Sequence, residues 1–123
     1  MIRYIELKTG YNDNGPAWIG LVKLSRFGQT IYFNGKALKR GNMVLGNHYE
    51  IGSGDAYWVS GIKKNGFDRH WAGAGKVAIE ASAVAEYLRL VGAEALDASK
   101  FEVVADLLRT EPAAFYDAEN RPL

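Results

Sequence analysis

Asp68, Arg69, His70 and Trp71 sit in a stretch, YWVSGIKKNGFDRHWAGAGK (57–76), dense in groups able to do chemistry. Asp68 and His70 are two apart. On a strand they share a face, where a carboxylate can orient an imidazole for acid–base work. His48 is the other of the chain's two histidines. Ser25, Ser53 and Ser60 are hydroxyls that a histidine would have to activate as nucleophiles. No G-x-S-x-G elbow surrounds them. Asp68, His70 and His48 are therefore the catalytic candidates, but D-x-H spacing is common to many strands. The plainer reading, which we prefer, makes Asp68 a cap for the turn at Asn65-Gly66 and His70 a surface group.

Two other chemistries are poorly supported. Gly73-Ala74-Gly75 before Lys76 suggests a phosphate loop, but the G-x-x-x-x-G-K-[ST] spacing is missing and Val77 stands where Ser or Thr is needed. His48, His70, Asp13, Asp55, Asp68 and Glu50 form neither H-x-x-x-H nor a compact ligand set. No metal and no cofactor is expected. What remains is a basic and aromatic inventory. Lys63, Lys64, Arg69, His70, Trp71 and Lys76 form the expected binding surface. Lys36, Lys39 and Arg40 follow an earlier turn, with Tyr32, Tyr49, Tyr57 and Trp58 interleaved. Such surfaces stack bases and track phosphates, or anchor a protein partner. Trp18 is expected to be buried and Trp71 partly exposed.

Composition bounds these readings. The chain has 123 residues, 48% hydrophobic and 24% charged, which is the size and texture of one globular domain. That length excludes a large multidomain enzyme. The absence of cysteine removes disulfides, thiolate zinc sites and cysteine nucleophiles. No apolar run approaches the roughly 18 residues of a spanning helix. The opening MIRYIELK has the alternation of a strand and not the pattern of a signal peptide. A cytoplasmic location, with no membrane partner, is expected. Net charge is only +1 but unevenly placed: residues 1–79 hold eleven Lys/Arg against five Asp/Glu, and residues 80–123 hold four against nine. The basic part points weakly to an anionic partner; the plainer reading is that the two parts attract each other.

The elements that must position these residues come in two textures. Up to residue 80 the chain reads as short strands: IRYIELK, AWIGLVKLSR with a bend at Gly20, QTIYFN, KALKR, HYEI and YWVSGIKK. Asn34-Gly35 predicts a hairpin, because a type I′ turn needs positive φ at both central positions. Asn65-Gly66 predicts another, with DRHW as its return leg. KVAIEA is a last short strand. SAVAEYLRLV (82–91) has helical spacing and stops at Gly92. A second helix is expected from Ser99, whose S-x-x-E box with Glu102 precedes the stripe Phe101, Val104, Leu108 and ends before Pro112. The tail carries Phe115 and Tyr116, which can pin it to the body.

The segments YIELKTGYNDNGPAWIG (4–20), TIYFNGKA (30–37) and YWVSGIKKNGFDRHWAGAGK (57–76) together resemble a family of small bacterial proteins of unassigned function. Some members carry the label 1-deoxy-D-xylulose-5-phosphate synthase. That synthase is similar to transketolase and needs thiamine-diphosphate domains larger than this chain, and no G-D-G diphosphate motif with a distal Asn occurs here. The resemblance implies a bacterial origin and a compact stand-alone domain, and transfers no catalytic residue.

The expected fold is α+β: a strongly curved antiparallel sheet or small open β-barrel of five to seven strands, followed by two C-terminal helices. It forms a single domain, with a β-rich part over 1–80, both helices over 81–110 and a tail over 111–123. The expected function is a binding module recognising a protein or nucleic-acid partner. The alternatives are a small enzyme using Asp68 and His70, or a homodimer formed through a strand edge or helix face.

Overall fold

In the computed structural model, residues 1–8, 15–42, 45–66, 68 and 75–119 are described. The strands are β1 (Ile2–Leu7), β2 (Ala17–Leu21), β3 (Lys23–Leu24), β4 (Thr30–Phe33), β5 (Lys36–Arg40), β6 (His48–Glu50), β7 (Ala56–Ser60), β8 (Val77–Glu80) and β9 (Phe101–Val104). Helix α1 (Val84–Val91) follows a 3-10 turn, Ala81–Ala83, and the four-residue α2 (Tyr116–Glu119) follows another, Pro112–Phe115. The strands form one sheet in the order β3-β4-β5-β6-β7-β1-β2-β8-β9. It curls like half a barrel.

The curl follows from one covalent fact. Val22 alone separates β2 from β3, yet five strands lie between them in the sheet order. A residue spans only about 3.4 Å, so the β3 edge must come round to meet the end of β2. Val22 is the joint: its N–H donates to the Met1 carbonyl at 3.0 Å and its side chain is buried. The expected bend at Gly20 is thus moved two residues on. Gly20 serves close approach instead, since a Cβ there would sit 2.7 Å from the Phe33 ring.

Period-2 alternation divides the core in two. Ile5, Val22, Ile31, Phe33, Leu38, Tyr57 and Val59 fill the concave interior, with Trp18, Leu7 and Leu107 against them. Ile2, Tyr4, Ala17, Ile19, Val77 and Ile79 form the other layer, covered by Tyr87, Val84, Leu88 and Val91 of α1. Gly92 closes α1 in the left-handed conformation, φ 71°, as the sequence suggests. Trp18 is half-buried, with its ring 5.9 Å from that of Phe33.

Three expectations need correction. The sheet has nine strands rather than five to seven, and it is mixed rather than antiparallel, because β2, β8 and β9 run parallel. The helix expected from Ser99 is strand β9, with Val77↔Phe101 through Glu80↔Val104 in register. Asp97 takes the cap away: its carboxylate accepts from the Ser99 N–H at 2.9 Å and the Ser99 hydroxyl at 2.5 Å, and its carbonyl from Lys100 and Phe101. The β-branched pair Val103-Val104 then suits a strand, and α1 becomes the crossover of a β-α-β unit. The span 81–110 therefore holds one helix and a strand, and the second helix lies in the tail. The hairpin expected at Asn65-Gly66 has its return leg, DRHW, outside the described residues except for Asp68. Gly66 closes a turn onto the Lys63 carbonyl, and the next described strand, β8, pairs with β2 and β9.

Candidate binding surface

The first hairpin forms as its residues require. Asn34 has φ 49° and Gly35 φ 76°, both positive, as a type I′ turn demands. That turn sets the register Thr30↔Lys39, Ile31↔Leu38, Tyr32↔Ala37 and Phe33↔Lys36. Ile31, Phe33 and Leu38 point into the interior, so Thr30, Tyr32, Ala37 and Lys39 face outward. Pairing with the neighbouring strands extends this face: Lys23 lies opposite Tyr32, and Tyr49 opposite Lys39. Lys23, Tyr32, Lys39 and Tyr49 thus share the convex face of β3–β6 with Thr30 and Ala37.

Part of that face is roofed by the chain beyond β9. The Gly35 N–H donates to the Thr110 hydroxyl at 2.6 Å, and Lys23 pairs with Glu111 at 3.5 Å. The Phe115 and Tyr32 ring centroids are 6.2 Å apart. The Tyr32 hydroxyl donates to the Glu119 carboxylate, and Lys39 Nζ donates to the Glu119 carbonyl at 3.2 Å. The acidic tail thus lies on the basic part of the sheet, in line with attraction between the two charged parts. Burial first, and then the Glu119 carboxylate, push the Tyr32 phenol pKa well above its usual value. Tyr32 therefore stays a hydrogen-bond donor throughout the physiological range.

The roof is incomplete. Between the tail and the β3–β4 turn runs a groove of about 540 Å³, lined among others by Leu24, Arg26, Phe27, Tyr32, Lys39 and Tyr116. Phe27 is 79% exposed at the turn, with the Arg26 guanidinium 5.2 Å from its ring centroid. Arg26 has no acidic partner among the described residues. A smaller cavity of about 220 Å³, beside Val22 and Thr110, lies on the other side of Tyr32.

The sequence-predicted residues are placed differently. Lys63, Lys64 and Lys76 are exposed, and none of them lines the groove. Arg69, His70 and Trp71 lie outside the described residues. Asp68 is buried; its Oδ1 accepts from the Lys63 N–H at 2.8 Å, stapling the turn, and its Oδ2 has no hydrogen-bond partner among the described residues. Burial raises its carboxyl pKa, against the lowering by the Lys63 N–H and charge. His48 is buried facing the interior opposite Tyr57, with Arg40 on its other side. Desolvation and then Arg40 lower its pKa to about 4, so the ring is neutral at pH 7. Its Nδ1 lies 2.9 Å from Asn47 Oδ1, which also accepts from the Val59 N–H. That oxygen is an acceptor, so Nδ1 carries the proton. The surroundings of Asp68 (Lys63, Tyr87) and of His48 (Arg40, Asn47, Tyr57) do not overlap.

Sequence reasoning missed Arg26, Phe27, Glu119 and Glu80. A phenylalanine beside Gly28 in a turn was the available signal for Phe27, since an apolar side chain there has little to pack on. Glu80 is fully buried at the end of β8. It accepts from the Leu21 N–H, from the Leu107 N–H at 2.8 Å and from Arg109 at 2.9 Å. This ties β2 and the tail to the sheet and is structural. Among the described residues no group of three or more His, Cys, Asp or Glu is placed to hold a metal. Among them also, no helix is long and apolar enough to cross a membrane.

Three comparisons were made, and no family model, curated protein or solved structure matches the chain.

Proposed function

We propose that the protein is a small binding module that recognises a protein or nucleic-acid partner through a basic and aromatic surface. The observation that carries this reading is the groove beside Phe27. There Phe27 is 79% exposed, with the guanidinium of Arg26 over its ring and free of any acid among the described residues, at the mouth of a groove also lined by Tyr116 and Lys39. Trp, Tyr, Phe and Arg are the residues from which recognition surfaces draw most of their binding energy. The acid–base alternative turns on Asp68 and His70, and His70 lies outside the described residues; His48, its candidate third group, is buried and neutral and shares no surroundings with Asp68.

The test is capture from a cell lysate on immobilised protein, with and without nuclease treatment, compared with Phe27→Ser and Arg26→Ser together. Both side chains are exposed, so the fold should survive, and circular dichroism checks that it does. Loss of a specific captured species in the double variant supports the reading; identical capture by both proteins overturns it.

A further inference from the structure

Resting on that reading, we propose that the groove binds single-stranded nucleic acid. A backbone phosphate takes the place that the Glu119 carboxylate now holds against the Tyr32 hydroxyl, and a base stacks on Phe27 beside Arg26.

Three observations lead there. First, the groove already holds an anion supplied by the chain itself. The Glu119 carboxylate accepts from Tyr32, and Lys39 Nζ bonds the carbonyl of the same residue at 3.2 Å. Tyr32 thus already donates to an anionic oxygen, and the Lys39 ammonium, held beside it on the backbone carbonyl, supplies the positive charge that a phosphate in the same place would meet. Second, Arg26 and Phe27 form a stacked cation and ring at the mouth, and Tyr116 lines the same groove, 56% exposed. A base offers a planar face to the ring, and its phosphate offers charge to the guanidinium. Third, the surface continues past the groove, since the register sets Tyr49 beside Lys39 on the convex face. A second ring and cation, Tyr49 and Lys39, thus lie side by side next to the groove, where a neighbouring nucleotide could reach them. The groove's volume, about 540 Å³, lies within the range of small-molecule sites, and we place one nucleotide there with its neighbours outside. A protein partner would call for acids to match Arg26 and Lys39 but has no need of a flat face over Phe27 with a charge beside it. A duplex keeps its base faces stacked on each other and cannot offer them to Phe27.

The experiment is fluorescence anisotropy of a labelled oligothymidylate titrated with the full chain, at roughly 50 and 200 mM salt. A duplex of the same length is the competitor. The expected result is binding of the single strand in preference to the duplex, with affinity falling by a log–log slope of about 0.7 per contacted phosphate. Phe27→Ala weakens it by about tenfold or more, the loss of one stacked base. Glu119→Gln tightens it, because the competing carboxylate is gone while the tail remains. Equal binding of duplex, an unchanged affinity for Phe27→Ala, or weakening by Glu119→Gln overturns the proposal. Absence of oligonucleotide binding, with nuclease-resistant capture that still depends on Phe27 and Arg26, leaves the module standing and assigns the groove to a protein. Absence of both brings down the inference and the reading together.

Discussion

His48 offers a sharp test of the interior. Its ring faces Tyr57 across the sheet, is 4% exposed and sits beside Arg40, so protonation is disfavoured in the folded chain. The folded pKa, about 4, lies below the ordinary 6.5 of the unfolded chain. The unfolded state therefore binds the proton more readily, and stability falls as pH drops below 6.5, levelling off near the folded value. Inserting the two pKa values in the linkage relation gives a loss of about 2 kcal/mol between about pH 7 and pH 5. Asp68 works in the opposite sense. Its folded pKa is raised, so protonation on acidification relieves a buried charge and adds stability. The comparison must therefore isolate His48. Urea unfolding of the wild type and of His48→Gln at several pH values does so, because every other titration is common to both. The wild-type curve should fall relative to the variant's by about 2 kcal/mol over that interval. Parallel curves would mean that the imidazole titrates normally, and the burial argument for this residue would fail.

Three further outcomes follow from packing and hydrogen bonding. Gly20→Ala should cost about 1–3 kcal/mol, because its Cβ would lie 2.7 Å from the ring of the buried Phe33 and 3.2 Å from the Glu80 carboxylate. An unchanged thermal midpoint would refute that close approach. Glu80→Gln should also destabilise by about 1–3 kcal/mol in urea, since a single carbonyl oxygen cannot serve Leu21, Leu107 and Arg109 together. Wild-type stability would show that the carboxylate is dispensable. Glu119→Gln should lower the Tyr32 phenol pKa towards its ordinary value by removing the acceptor charge, read as an earlier tyrosinate transition in alkaline ultraviolet titration. An unmoved titration would detach the tail from Tyr32.

Some of this was legible in the residues and some was not. The Asn34-Gly35 hairpin and α1 with its Gly92 stop depend on local dihedral requirements, which residue types announce directly. Strand β9 does not. Its four residues fit a helical stripe as easily as a strand, and what decides is a parallel partner more than twenty residues earlier, together with Asp97 capturing Ser99. The parallel run of β2, β8 and β9 was hidden for the same reason. The candidate surface shows the same limit. Tyr32, Lys39 and Tyr49 were recognisable as a basic and aromatic set, but their convergence follows from cross-strand register. Glu119 entered only because the tail returns across the sheet, and no spacing in the chain encodes where it lands.

Glu80 bears on the order in which the protein can be made. Its carboxylate takes the amide hydrogen of Leu21, 59 positions earlier, and that of Leu107, 27 positions later. On a ribosome, β2 emerges long before either the acid or the second amide exists, so the seam beside it stays open during most of synthesis. Non-local closure of this kind is slow. A nascent chain halted before residue 80 would leave Leu21 without its acceptor and β2 with a bare edge, the state in which a chaperone would find it most readily.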